Sequence, residues 1–216
     1  MNHWRQTALA ALALALAGCS GEAAPNTRGV YLLMDTSGTY TQELDKAQAL
    51  INALLAKLDT GDSFAVARVD TGSFSEKDIV ARVTFDERPS TTNQQKRKSR
   101  EEIDRFVRQV TPAAYTDITG GILQAAEYLN EKAPGRKTIL IFSDLKEDLQ
   151  EGYLRDLPLT VDGFEVIAIN VTKLRSDNVD PREYMIRLED WQRKVESGGG
   201  SWRVINDLDR LDRILG

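Results

Sequence analysis

The chain has 216 residues, with 33 acidic against 28 basic side chains and a formal net charge of −5. That balance argues against general nucleic-acid binding, which needs a basic domain or face. The one cysteine is Cys19 and the one histidine is His3. Both fall in an N-terminal segment that reads as an export signal ending in a modified cysteine, so the mature chain is expected to keep no histidine or free thiol, which excludes Ser-His-Asp and Cys-His catalysis and zinc sites built from those ligands. Any metal would be an oxygen-ligand ion such as Mg²⁺, Mn²⁺ or Ca²⁺.

In chain order, MNHWRQTALAALALALAGC has a polar start with Arg5, an apolar stretch from Ala8 to Ala17, and then Gly-Cys. The stretch is too short to span a bilayer, which takes ~20 apolar residues, and it reads as an export signal. Leu16-Ala17-Gly18-Cys19 resembles the lipobox of bacterial lipoproteins. The resemblance implies cleavage before Cys19 and lipidation of that residue, which also accounts for a lone cysteine in an exported protein. Residues 1–18 are then a lipoprotein signal peptide, 19–28 a polar, proline-containing tether, and 29–216 one domain. The expected location is the bacterial cell envelope, lipid-anchored, with Ser20 leaning toward the outer membrane facing the periplasm.

Val30 to Met34 is a continuous apolar run, expected of a strand covered on both faces. Leu44, Ala47, Leu50, Ile51, Leu54, Leu55 and Leu58 form one helix stripe that Gly61-Asp62 ends. Ser63 to Val69 and Ile79 to Phe85 are strand-like runs joined by a polar loop with no room for a helix, so they predict an antiparallel hairpin. Ser99-Arg100-Glu101-Glu102 has the spacing of a capping box and predicts a helix start, with Ile103, Phe106, Val107 and Val110 behind it. Ile118, Ile122, Ala126 and Leu129 mark another helix, and Thr138 to Phe142 and Phe164 to Ile169 two buried strands. Pro181 opens a helix to about Glu196, Gly198-Gly199-Gly200 breaks it, Trp202 to Ile205 forms a last strand, and Leu208, Leu211 and Leu215 mark a closing helix. The alternation predicts an α/β fold, three-layered and Rossmann-like, with a mostly parallel sheet and one antiparallel edge strand.

The first strand halts in VYLLMDTSGTY, where Asp35 is followed by three hydroxyl residues and a glycine. Three chemistries want such a point: a metal held by oxygens, a phosphate-accepting aspartate, and an acid protease. In an open α/β sheet ligands sit beyond the carboxyl ends of the parallel strands. Asp35 and Asp144 each follow such a strand, and the loop carrying Thr116 precedes a helix on the same edge. Asp35, Ser37, Thr39, Thr116 and Asp144 are therefore expected to converge.

Asp35-Thr36-Ser37-Gly38-Thr39 resembles the Asp-x-Ser-x-Ser motif of von Willebrand factor type A domains. Thr116 in Thr-Asp-Ile-Thr-Gly-Gly and Asp144 in Ile-Phe-Ser-Asp match the other two positions of that motif, and the element order agrees from about Gly29 to Leu215. The resemblance implies a metal-ion-dependent adhesion site: Mg²⁺ or Mn²⁺ bound by Ser37, Thr39 and Thr116, with Asp35 and Asp144 acting partly through waters. It implies a protein partner whose Asp or Glu carboxylate completes the coordination, and no catalytic role. Thr39 stands where serine is usual and adds a methyl group.

The alternatives are a Mg²⁺-dependent phosphoaspartate hydrolase using Asp35 and a metal-free scaffold of the same fold. DTSGT also resembles the DKTGT of phosphorylated transport ATPases, but Ser37 stands where aspartate phosphatases usually place a second Asp, and Lys137 falls at the opposite edge. Asp70-Thr71-Gly72-Ser73 matches the DTGS of aspartic proteases, which are all-β and need two such aspartates. Here it reads as the hairpin turn, with Gly72 supplying the backbone angle. The basic run Gln94 to Arg100 reads as a helix entrance, or as a membrane contact in which Lys96, Arg97, Lys98 and Arg100 face anionic headgroups.

Overall fold

The computed structural model describes residues 26–38, 40–70, 72, 75–152 and 157–208. Among these residues the strands are β1 (Arg28–Asp35), β2 (Ser63–Val69), β3 (Ile79–Thr84), β4 (Arg136–Phe142), β5 (Phe164–Ile169) and β6 (Ser201–Ile205). They lie in the order β3-β2-β1-β4-β5-β6, with every pairing parallel except β2 with β3. Among the described residues the α-helices are α1 (Leu44–Lys57), α2 (Pro89–Gln109), α3 (Ile118–Lys132) and α4 (Arg182–Ser197). This is the predicted three-layer, mostly parallel sheet with an antiparallel edge strand.

The period of two along a strand distributes β1 between two cores. Val30, Leu32 and Met34 pack with Leu50 and Leu54 of α1 and Ile103 of α2. Tyr31 and Leu33 point the other way, to Ile122 and Leu129 of α3 and Trp191 and Val195 of α4. A strand that must satisfy both layers reads as unbroken hydrophobicity. Two glycines permit close approach: a Cβ on Gly121 would sit 3.0 Å from Leu33 Cδ2, and one on Gly29 would sit 2.5 Å from Pro134 Cγ. Gly121 thereby lets the start of α3 settle against β1.

One helix boundary departs from the sequence expectation. α2 begins at Pro89, not at Ser99, which is buried in mid-helix. Pro89 opens the first turn, where its missing N–H costs nothing. Thr92 Oγ1 donates to Asp86 O at 2.6 Å, and Gln95 Oε1 accepts from Asp86 N at 2.9 Å. The first ten residues, PSTTNQQKRK, contain no large apolar side chain. The inward stripe of Thr92, Ser99 and Ile103 starts with hydroxyls, so periodicity of hydrophobic residues shows only its second half. The basic run therefore lies within α2 and not at its entrance. Leu208 packs against the α1–α2 core, while Leu211 and Leu215 of the expected closing helix lie outside the described residues. Among the described residues, no helix is long and apolar enough to cross a membrane.

Candidate metal centre

Asp35 is the last residue of β1, and Asp144 stands two residues beyond the end of β4. The two strands pair in parallel with Met34 opposite Phe142, which brings the carboxylates to one edge. Two loops interlock around them. Ala113 N donates to Thr36 O at 2.8 Å, placing the segment after α2 beside Ser37. Thr116 and Asp148 exchange backbone hydrogen bonds of 2.7 and 3.0 Å, joining Thr116 to the segment after Asp144. Asp117 then caps α3, its Oδ1 accepting Gly120 N at 2.8 Å. The structure thus gathers Asp35, Ser37, Thr116 and Asp144 at the carboxyl edge; Thr39 and the lipidation candidate Cys19 lie outside the described residues.

Asp35 is fully buried, and Asp144 and Thr116 are 3% and 4% exposed. Asp35 Oδ1 accepts Ser37 N at 2.8 Å, and its Oδ2 accepts the Ser143 hydroxyl at 2.6 Å. Asp144 Oδ1 accepts Lys146 N at 2.9 Å. Among the described residues, no Lys or Arg side chain donates to either carboxylate. Burial pushes the Asp144 carboxyl above the ordinary carboxylate range; the Lys146 N–H opposes the shift, and the neighbouring Asp35 adds to it.

Two buried like charges served by neutral donors are costly unless protons or a cation compensate them. Among the described residues, no three His, Cys, Asp or Glu side chains converge to hold a metal. A site here rests on two carboxylates and neutral hydroxyls, a donor set that suits Mg²⁺ or Mn²⁺ and leaves net positive charge for an incoming anion. The residues fit the ion that the sequence motif implies.

Ser143 precedes Asp144 in the sequence motif, which assigns it no role. Register alone locates it, because the residue after Phe142 falls opposite Asp35. Its Oγ also accepts Leu145 N at 3.0 Å, and Leu145 adopts φ +64°, a left-handed conformation rare for a leucine. Three α4 residues, spaced four and three apart on one face, hold this loop. Arg187 Nε donates to Asp144 O at 2.9 Å while its other nitrogens pair with the buried Asp177. Trp191 Nε1 donates to Leu145 O at 2.9 Å. Lys194 reaches Glu147 at 3.3 Å and also donates to Thr119 Oγ1. Nothing in the local sequence around Asp144 signals these contacts, because they come from about 45 residues downstream.

The competing motifs fall elsewhere. Lys137 is the second residue of β4, paired with Gly29 at the opposite end from Asp35, and its Nζ donates to Asn130. Asp70 pairs with Arg68 at 3.1 Å, and Gly72 has φ +65°, as a hairpin turn requires; Thr71 and Ser73 lie outside the described residues. Lys96, Arg97, Lys98 and Arg100 sit on α2, away from the carboxylate edge.

The von Willebrand factor type A domain model matches residues 30–147, more than half of the chain. The chain belongs to the von Willebrand factor type A domain family. Among solved structures it is similar to a von Willebrand factor type A protein from Catenulispora acidiphila, at 16% identity and a TM-score of 0.55, over 87% of this chain and 41% of that one. It is also similar to the pilus adhesin SpaC from Lactobacillus rhamnosus GG in its open conformation. That match has 11% identity and a TM-score of 0.50, covering 90% of this chain and 29% of the adhesin. The chain thus spans less than half of either protein, and at these identities the likeness concerns the fold. A search of curated protein sequences gives no significant match.

Proposed function

We propose that this protein is a lipid-anchored cell-envelope domain that binds a protein partner through a divalent cation at the Asp35–Asp144 edge. The observation that carries the reading is the pair of buried carboxylates that accept hydrogen bonds only from neutral donors among the described residues. Ser37, Thr39 and Thr116 would hold Mg²⁺ or Mn²⁺ through hydroxyls, with Asp35 and Asp144 supplying the negative charge. The bound ion would supply the positive charge that attracts an Asp or Glu carboxylate of the partner. Ser143 and the Ser37 N–H fix the Asp35 carboxylate, and Arg187 and Trp191 hold the backbone of the Asp144 loop. The same edge carries apolar surface suited to a protein contact: Val179 is 89% exposed, and Met185 and Ile186 about half exposed, next to the Asp177–Arg187 pair that reaches Asp144. The adhesin-like fold supports a binding role, and no reaction is assigned to the site.

Titration of the purified protein with Mn²⁺, followed by crosslinking in Mg²⁺ or chelator, tests the reading. Asp35→Asn and Thr116→Ala are expected to lose the ion and the chelator-sensitive crosslinks while keeping the native circular dichroism. Turnover of a generic phosphoester in Mg²⁺, lost in Asp35→Asn and blocked by beryllofluoride, would replace the proposal with the hydrolase reading. Acyl-chain labelling of the wild type but not of Cys19→Ser tests the anchor.

A further inference from the structure

The basic run of α2 plays no part in the metal edge, and its placement in the fold suggests a separate role. Lys96, Arg97 and Arg100, with Asn93, Asn52, Leu55 and Ala56, line an open groove of about 590 Å³ between α1 and α2. Lys98 is not among the lining residues, so the fold selects three of the four cations in the run. Leu55 and Ala56 give the groove an apolar floor, and the two asparagines add amide donors on either wall.

The cations differ in how far they are committed. Lys96 donates to Leu58 O and lies 5.7 Å above the Phe85 ring, so it also closes the end of α1. Arg100 reaches Asp104 only at 4.0 Å. Arg97 is exposed and makes no ion pair with another described residue. Two guanidinium groups are therefore available to an anion, and guanidinium suits phosphate oxygens through paired N–H donors.

The path of the chain indicates which anion. Arg28, the first residue of β1, donates to Lys57 O at 3.1 Å. Lys57 and Leu58 are neighbours, so the N-terminal segment joins the domain within one residue of the carbonyl that Lys96 binds. That segment carries the apolar stretch Ala8 to Ala17 and Cys19, which the proposed anchoring sets at a lipid surface, and the choice of anion rests on that part of the proposed function.

We propose that the α1–α2 groove docks on the phosphate-bearing headgroups of anionic phospholipids. The groove lies on the flank of the domain and extends over about two turns of α2, roughly 10 Å. Binding there turns the α1–α2 layer toward the bilayer. The Asp35–Asp144 edge then faces along the membrane and not straight away from it, so a partner engaging that edge approaches laterally. The proposal is independent of the metal reading.

The test is flotation of the full chain with phosphatidylcholine vesicles, with and without phosphatidylglycerol, at low and high NaCl. Each cation near an anionic surface contributes about fivefold to partitioning at low salt. The wild type is expected to prefer anionic vesicles. In Arg97→Gln/Arg100→Gln that preference should fall on the order of tenfold, leave neutral-vesicle binding unchanged, and vanish at high salt. Arg97→Lys/Arg100→Lys should keep most of it. Arg182→Gln/Arg193→Gln, with the same charge change on the opposite layer, should keep all of it. Equal loss in both Gln pairs would reduce the effect to net charge and overturn the proposal, as would an unchanged preference in the groove variant. Groove-dependent binding of soluble polyglutamate without any vesicle preference would assign the groove to an acidic protein segment. A sedimenting dimer lost in Arg97→Gln/Arg100→Gln would assign it to a second copy. Melting curves matching the wild type keep the Arg97 and Arg100 variants interpretable, because neither side chain is buried.

Discussion

Two buried carboxylate sites at opposite ends of the sheet, Asp62 and the Asp35–Asp144 pair, are compensated in opposite ways. At the amino end, Asp62 accepts Arg28 N at 2.7 Å and Asp59 N at 2.8 Å, and its Oδ2 lies 3.4 Å from the Arg28 guanidinium. At the carboxyl end, Asp35 and Asp144 face each other's charge with no arginine on either carboxylate among the described residues. The nearest guanidinium, Arg187, is turned to Asp177 and to a backbone carbonyl. An internal cation closes the first end as structure. The Asp35–Asp144 site has no such internal cation among the described residues, and it is there that the proposed ion would sit.

The largest effect is expected where the amino end is broken. Asp62→Ala removes the acceptor of two backbone N–H groups and the partner of Arg28, and should cost about 3 kcal/mol of stability. Mn²⁺ titration should be unchanged. Urea denaturation and metal titration on the same sample decide it; a lost metal signal in a still-folded Asp62→Ala would erase the distinction between the ends.

Gly29→Ala should follow, at about 2 kcal/mol, because its Cβ would press on Pro134 Cγ and on Leu129 Cδ2 at 2.7 Å. Again the melt should shift and the metal affinity should not.

At the carboxyl end the order reverses. Asp144→Asn keeps an acceptor for Lys146 N but removes one of the two like charges, so the metal-free protein should be no less stable, while Mn²⁺ affinity falls at least about tenfold. The pH dependence sharpens this. Burial raises the Asp144 carboxyl pKa in the fold, so the folded state binds this proton more tightly than the unfolded chain. In chelator, the stability contributed by protonated Asp144 is present below the ordinary carboxylate pKa and is lost as pH rises through the raised value. Unfolding curves measured across that window should slope downward in the wild type and flatten in Asp144→Asn.

The smallest effect belongs to Trp191→Phe. It deletes the indole N–H that holds Leu145 O and should cost about 1 kcal/mol, with a modest loss of Mn²⁺ affinity as the Asp144 loop loosens. A melt shift without any change in affinity would restrict Trp191 to packing.

Local pattern was enough to specify the architecture. The apolar runs of β1, β4 and β5, the stripes of α1 and α3, and the glycines that end elements are consequences of periodicity and backbone sterics, which act over a few residues. The carboxylate edge was legible for the same reason, because residues that end parallel strands share an edge whatever fills the loops between them. The start of α2 was not legible: its first turns bury hydroxyls and the stem of Lys96 in place of hydrophobes, satisfied by Asp86 and Leu58 from outside the helix. Only the tertiary structure decided that Ser143 fixes Asp35, that Arg187, Trp191 and Lys194 hold the Asp144 loop, and that Lys96, Arg97 and Arg100 share a groove with α1. These relations depend on which surfaces meet after folding. Hydrogen bonds and ion pairs between distant segments leave no periodicity in the chain that makes them.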